Sequence, residues 1–117
     1  MKLPPKFENK RKDLEFISEK TRYKILLTLL AEDSLSFIQL RNLLSSIPEN
    51  NLNYHIKILK ENGYLKNKKV QDYKRSEPRS FYSLSSRSLE LLEELGLTNV
   101  KKELHALVHS LTDEIGE

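Results

Sequence analysis

Residues 50–65 read NNLNYHIKILKENGYL, and the two sides of this segment carry different chemistry. With Leu52 at zero and about 100° per residue, Ile56 and Leu59 fall within about 40° of it and define an apolar stripe. Across the wheel lie Asn53 at about 100°, Lys57 at about 140°, Asn50 at about 160°, Glu61 at about 180° and Tyr54 at about 200°. The spacing predicts a helix over 49–62, with Gly63 placed to end it. Asparagine forms helix interiors poorly and is commoner at caps, so a run of it on the wet face asks for a reason other than helix stability.

Duplex DNA supplies one. An Asn side-chain amide offers a donor and an acceptor side by side, matching the N6/N7 edge of adenine in the major groove. Tyr54 can reach a phosphate or pack on a thymine methyl, and Lys57 can meet phosphate or guanine. The alternative is that Asn50 and Asn51 only start the helix while Asn53 and Lys57 are solvated.

Upstream, LSFIQLRNLLSS (35–46) predicts a short helix. Ser36 with Gln39 three residues on fits a capping box, and Leu40, Leu43 and Leu44 form its inward stripe. Ser46 and Glu49 offer a second box around the break at Ile47, where Pro48 suits the start of a helix. EKTRYKILLTLLAED (19–33) predicts a helix with Leu26, Leu29 and Leu30 on one face, ended by Asp33 and Ser34. Leu14 and Ile17 start helical periodicity near Asp13. Before it, residues 1–12 contain Pro4, Pro5 and a basic run, and are expected to be a flexible basic arm.

Downstream, YLKNKKVQ (64–71) and RSFYSLS (79–85) suit short strands, joined through the polar DYKRSEP (72–78) as a hairpin. SSRSLELLEEL (85–95) returns to helical spacing, with Leu89, Leu92 and Leu95 expected to tie it to the core. A last helix follows the break at Gly96. Its stripe Val100, Leu104, Leu107, Leu111 repeats by four and three, as a dimer seam would; the alternative is packing on its own domain. The expected organisation is an arm at 1–12, one domain at 13–95 and a closing helix at 96–117.

Charge follows the same division. Residues 1–12 carry a net +4, residues 13–65 a net −1, residues 66–85 a net +4 and residues 86–117 a net −4, for +3 over the 117 residues. Positive charge concentrated beside the asparagine helix suits an anionic partner. The chain has no cysteine, which excludes disulfides, thiolate metal sites and cysteine nucleophiles. Three histidines, three scattered glycines and no Ser/His/acid set offer neither an active site nor a phosphate loop. No cofactor is expected, and the absence of any run near ~18 apolar residues favours a cytoplasmic protein.

Taken in order, these elements are similar to the ArsR-type winged helix-turn-helix transcription regulators, over roughly residues 14–95. KTRYKILLTLL (20–30), SLSFIQLRNLL (34–44), LNYHIKILKENGYL (52–65) and FYSLS (81–85) carry the resemblance. MarR-type and PadR-type winged helices share much of the pattern. The resemblance implies a mainly α fold with a small β-hairpin wing and a C-terminal dimerisation helix, acting as a homodimer on double-stranded DNA. It assigns Asn50, Asn51, Asn53, Tyr54 and Lys57 to the major groove, and Lys68, Lys69, Lys74, Arg75 and Arg79 to the backbone or minor groove. His55, at the edge of the core stripe, is expected to be structural. Some members of that family bind thiophilic metals through cysteines that SFIQLRNLL (36–44) lacks. Others use Asp and His on the last helix, across the dimer. His105, His109 and Asp113 here are spaced differently and lie off the leucine seam, so the expectation is a solvated histidine pair and no metal.

Overall fold

The computed structural model describes residues 1–71, 74 and 78–115, with side chains of 111–115 excepted. Helix α1 spans Pro5–Ile17 and α2 spans Lys20–Glu32; strand β1 is Leu35–Ser36, α3 is Phe37–Leu43 and α4 is Glu49–Glu61. Strands β2 (Leu65–Val70) and β3 (Arg79–Leu84) follow, then α5 (Ser86–Glu94), a 3₁₀ turn at Leu97–Val100 and α6 (Lys101–Ile115). The sheet is antiparallel in the order β1-β3-β2. Mainly α with a three-stranded wing sheet, the chain has the winged helix-turn-helix fold expected of it.

The core is built on α2, which packs against α4, α6 and β3. Ile25, Leu26, Leu29 and Leu30 are buried there, with Leu40 from α3, and Leu52, Ile56 and Leu59 from α4. Burying each such side chain contributes roughly 1.5–3 kcal/mol, so the apolar stripe of α4 fixes which face it turns outward. Leu43 and Leu44 are half-buried against this core.

Several local expectations change. Residues 5–12 are not an arm but the first two turns of α1, with Pro4 as cap and Pro5 in the first turn. Proline breaks helix interiors, yet its fixed φ and missing N–H suit a helix start. Arg11 then pairs with Glu8 and Glu15, and Lys10 with Glu94 of α5 at 2.7 Å. At α3 the Ser36–Gln39 capping box forms as read, with Gln39 N donating to Ser36 Oγ (3.2 Å) and Ser36 N donating to Gln39 Oε1 (2.9 Å). The Ser46–Glu49 box does not form: Pro48 caps α4, without a side-chain bond.

In α5 the inward residues are Ser88, Leu91 and Leu92, while Leu89 and Leu95 are exposed. The stripe is shifted because a buried serine occupies one of its positions: Ser88 Oγ donates to the Tyr64 carbonyl at 2.6 Å. A purely apolar reading of the wheel passes over such a residue. Strand β1 is a further addition, two residues bridging Leu35 to Tyr82 and Ser36 to Phe81. It is too short for a period-two pattern.

Candidate nucleic-acid interface

Helix α4 is held at three points, leaving its polar face bare. At its start Pro48 sets the entry, and Asn51 N donates to Asn50 Oδ1 at 3.0 Å. Asn50 thus partly serves the helix start. At its end Gly63 sits at φ +79°, with Tyr64 N donating to the Leu59 carbonyl (2.8 Å) and Gly63 N to that of Lys60 (3.1 Å). These paired bonds are a Schellman stop, which needs a left-handed residue at Gly63.

Midway, His55 is nearly enclosed, and Arg22 Nη1 lies 3.3 Å from its Nδ1. Guanidinium can only donate, so Nδ1 is the acceptor in this contact, and Glu19 Oε2 lies 3.7 Å from the same nitrogen. His55 is structural, as its place on the wheel indicated.

A column of stacked side chains connects these anchors. Arg22 lies over the Phe16 ring (4.4 Å), Phe16 stacks on Tyr64 (5.0 Å) and Arg87 lies over Tyr64 (4.3 Å). Arg87 donates to the Asn62 carbonyl (2.8 Å) and to Asp13 Oδ1 (2.5 Å), which also accepts from the Tyr64 hydroxyl (2.9 Å). Burial pushes the Asp13 carboxyl up, but the hydrogen bonds from Arg87 and Tyr64 and the charge of Arg87 outweigh it, holding it below the usual carboxylate range. Burial, with the bond to Asp13, pushes the Tyr64 hydroxyl up to about 12. Asp13, Phe16, Arg22, Tyr64 and Arg87 therefore orient α4 from behind. No sequence motif links five residues spread over three helices and a turn.

The five residues singled out on α4 all emerge on the open side: Asn50, Asn51, Asn53, Tyr54 and Lys57 are exposed, Tyr54 to 58%. On this face Lys57 pairs with Glu61 at 4.0 Å, both well exposed, and such a pair is worth about 0.3–0.5 kcal/mol. Lys60, not singled out from sequence, joins Asn53 and Lys57 in a groove that Tyr82 of β3 closes on the other side. Its wheel position beside Asn53, at about 80°, is the signal that was available.

On the wing, Lys68 pairs across from Phe81 and Lys69 from Ser80. Successive strand residues point to opposite faces, so these two lysines straddle the ladder rather than sharing a side. Lys66, opposite Ser83 and exposed, shares the face of Lys68 and was also missed. Arg79 begins β3 and Lys74 is an exposed turn residue; Arg75 lies outside the described residues.

The closing stripe divides. Leu104 is half-buried on the domain's own core and Val108 is buried beside it, whereas Val100 (39%) and Leu107 (58%) are exposed. Val100 belongs to the 3₁₀ turn rather than to α6, and the side chain of Leu111 lies outside the described residues. Among the described residues, no helix is long and apolar enough to cross a membrane.

Comparison with known proteins agrees with this architecture. Residues 17–65 match a helix-turn-helix domain family. Among curated proteins no significant match is found. Of solved structures, a protein with a GntR-superfamily winged-helix-turn-helix domain from Halomicrobium mukohataei superposes with a TM-score of 0.79 at 21% identity, over 93% of this chain and 79% of that one. A chain from Enterococcus faecalis assigned to the MarR family gives 0.67 at 16% identity, over 94% and 96%. HlyU from Vibrio cholerae gives 0.57 at 22%, over 89% and 97%. The matched domain and these neighbours share the winged helix-turn-helix fold described above.

Proposed function

We propose that this winged helix-turn-helix protein of the transcription-regulator type binds double-stranded DNA sequence-specifically as a homodimer in the cytoplasm. Helix α4 enters the major groove, where Asn50, Asn51, Asn53, Tyr54 and Lys57 meet base edges and flanking phosphates. The wing residues Lys68, Lys69, Lys74, Arg75 and Arg79 grip the backbone, with an arginine available to the adjacent minor groove. Cations on both faces of the β2–β3 ladder suit a ribbon set between two phosphate walls.

The observation that carries this reading is the exposed Asn/Tyr/Lys face of a helix whose other side is buried and anchored at both ends. A rigid helix presenting planar amides can select a base; a mobile one would lose that selectivity to ordering entropy. Dimerisation follows from the reach of one such helix, which covers only a few base pairs, whereas a two-fold pair covers half-sites about 34 Å apart. The exposed Val100 and Leu107, with Leu104 and Leu111, are the seam assigned to that contact. The acidic surface of the closing helices suits a position away from DNA.

The test is selection of bound sequences from random duplexes at about 150 mM salt. An inverted repeat with half-sites one helical turn apart is the expected outcome. Binding without enrichment would mean a non-specific, chromatin-like binder. Absence of binding would mean that the face of α4 meets a protein instead.

A further inference from the structure

We propose that Glu32, His105 and His109 form a binding site for one divalent transition-metal ion of zinc-like chemistry, within a single chain. Glu32 closes α2, and the two histidines stand one turn apart on α6. Their donor atoms lie within 4.8 Å of one another.

The geometry around one oxygen is what points to an ion. Glu32 Oε1 is 3.1 Å from His105 Nδ1 and 3.5 Å from His109 Nε2, yet it is buried and accepts no hydrogen bond from either ring or from any other group among the described residues. A buried carboxylate oxygen that accepts no hydrogen bond is costly. Zinc bound tetrahedrally at about 2.0–2.2 Å from each donor sets donor–donor edges of about 3.3–3.6 Å. One observed separation falls in that range and the other lies just below it. The rings face each other with centroids 4.1 Å apart, which two imidazolium cations would resist and two neutral ligands of one cation would not.

The donor set fits the same ions. Two imidazoles and one carboxylate suit zinc, nickel or cobalt, and histidines at i and i+4 on one helix face present both nitrogens to one point. Three protein ligands leave a fourth position for water. A groove of 260 Å³ alongside, which Gln39 and Asn42 of α3 line together with Glu32 and His109, provides the room. His105 Nδ1 also lies 3.2 Å from the Ala31 carbonyl, so metal and carbonyl compete for that edge of the ring. A bound ion would pin α6 to the end of α2. It needs no partner subunit and takes its carboxylate from a different helix, unlike the cross-dimer arrangement on the last helix alone.

The test uses untagged full-length protein without DNA, so its outcome is separate from that of the DNA-binding reading. Co²⁺ is titrated by its visible absorption, and Zn²⁺ is then added in competition. Saturable binding of one Co²⁺ per chain, displaced by Zn²⁺, is expected for the wild type. Glu32→Gln and His109→Gln should each weaken it at least about 10–100-fold, since loss of even an outer-shell partner has that effect. Their metal-free melting temperatures, compared with the wild type, confirm that both remain folded; His109 is exposed enough that its change leaves the core untouched. Absence of saturable binding in the wild type, or wild-type affinity in either variant, overturns the proposal.

Discussion

Among the exposed side chains of α4, Asn53 is the one whose chemistry is hardest to explain by the helix itself. It caps nothing, no hydrogen bond within the chain uses its amide among the described residues, and it shares a groove with Lys57 and with Tyr82 of β3. Asn53→Ala should leave folding unchanged and weaken binding to the selected operator by about 1–3 kcal/mol, with little effect on random duplex. Equal weakening on both DNAs, measured by titration at fixed salt, would remove it from base readout. Lys68, exposed on the outer face of β2, is predicted to act by charge alone. Lys68→Ala should weaken all sequences alike and flatten the slope of log affinity against log salt by about 0.9. An unchanged slope would take Lys68 out of the phosphate set.

At the scale of elements, α4 depends on its two ends. Gly63→Ala introduces no steric conflict, as the nearest atom to the added Cβ is Arg87 Nη1 at 3.8 Å. The left-handed backbone alone should therefore destabilise the variant by about 1–2 kcal/mol, read as a fall in urea midpoint at constant slope. The Asp13–Tyr64–Arg87 cluster gives the stability a pH signature with two limbs. Asp13 has its folded value held down. Its stabilising contribution is present above the ordinary carboxylate pKa of about 3.9 and is lost as pH falls through the lower, folded value. Tyr64 has its folded value raised to about 12. Its contribution is present below about 10 and is lost as pH rises from there through about 12. Asp13→Asn should shrink the acid limb, to which Glu19, also held down, contributes, and Tyr64→Phe should remove the alkaline limb of a melting-temperature profile. A Tyr64→Phe profile that still falls between about pH 10 and 12 would assign the alkaline loss to another group.

For the whole molecule, what matters is how two recognition helices would be held apart. Within one chain, α6 is already committed on one side: Leu104 and Val108 pack on α2 and α3 and line a 430 Å³ apolar groove. Leu107, exposed at the edge of that groove, is the residue the proposed dimer would use. Leu107→Glu should leave the monomer folded but shift it from dimer to monomer in sedimentation, and weaken binding to an inverted repeat far more than to a single half-site. A variant that sediments as a dimer would place the two-fold contact elsewhere, with α1 and its exposed Phe7 as the next surface to change.

The sequence by itself determined most of the helices and strands, and which faces of α2 and α4 are buried. Apolar spacing in α2 and α4, the Ser36–Gln39 box and Gly63 are local signals, set by side-chain periodicity and backbone conformation within a few residues. The outward placement of Asn50, Asn51, Asn53, Tyr54 and Lys57 follows from that periodicity alone. Local signals misled where one residue type has two uses. Pro4 and Pro5 suggested an arm and start a helix, and Ser88, outside the expected leucine stripe, shifts the buried face of α5. Only the tertiary structure decided the rest: the stacked column from Arg22 to Arg87 that orients α4, and the meeting of Glu32 with His105 and His109. Those contacts join residues up to 77 positions apart, Glu32 to His109. At such separation, the packing of α1, α5 and α6 against the central helices sets proximity, and no spacing along the chain encodes it.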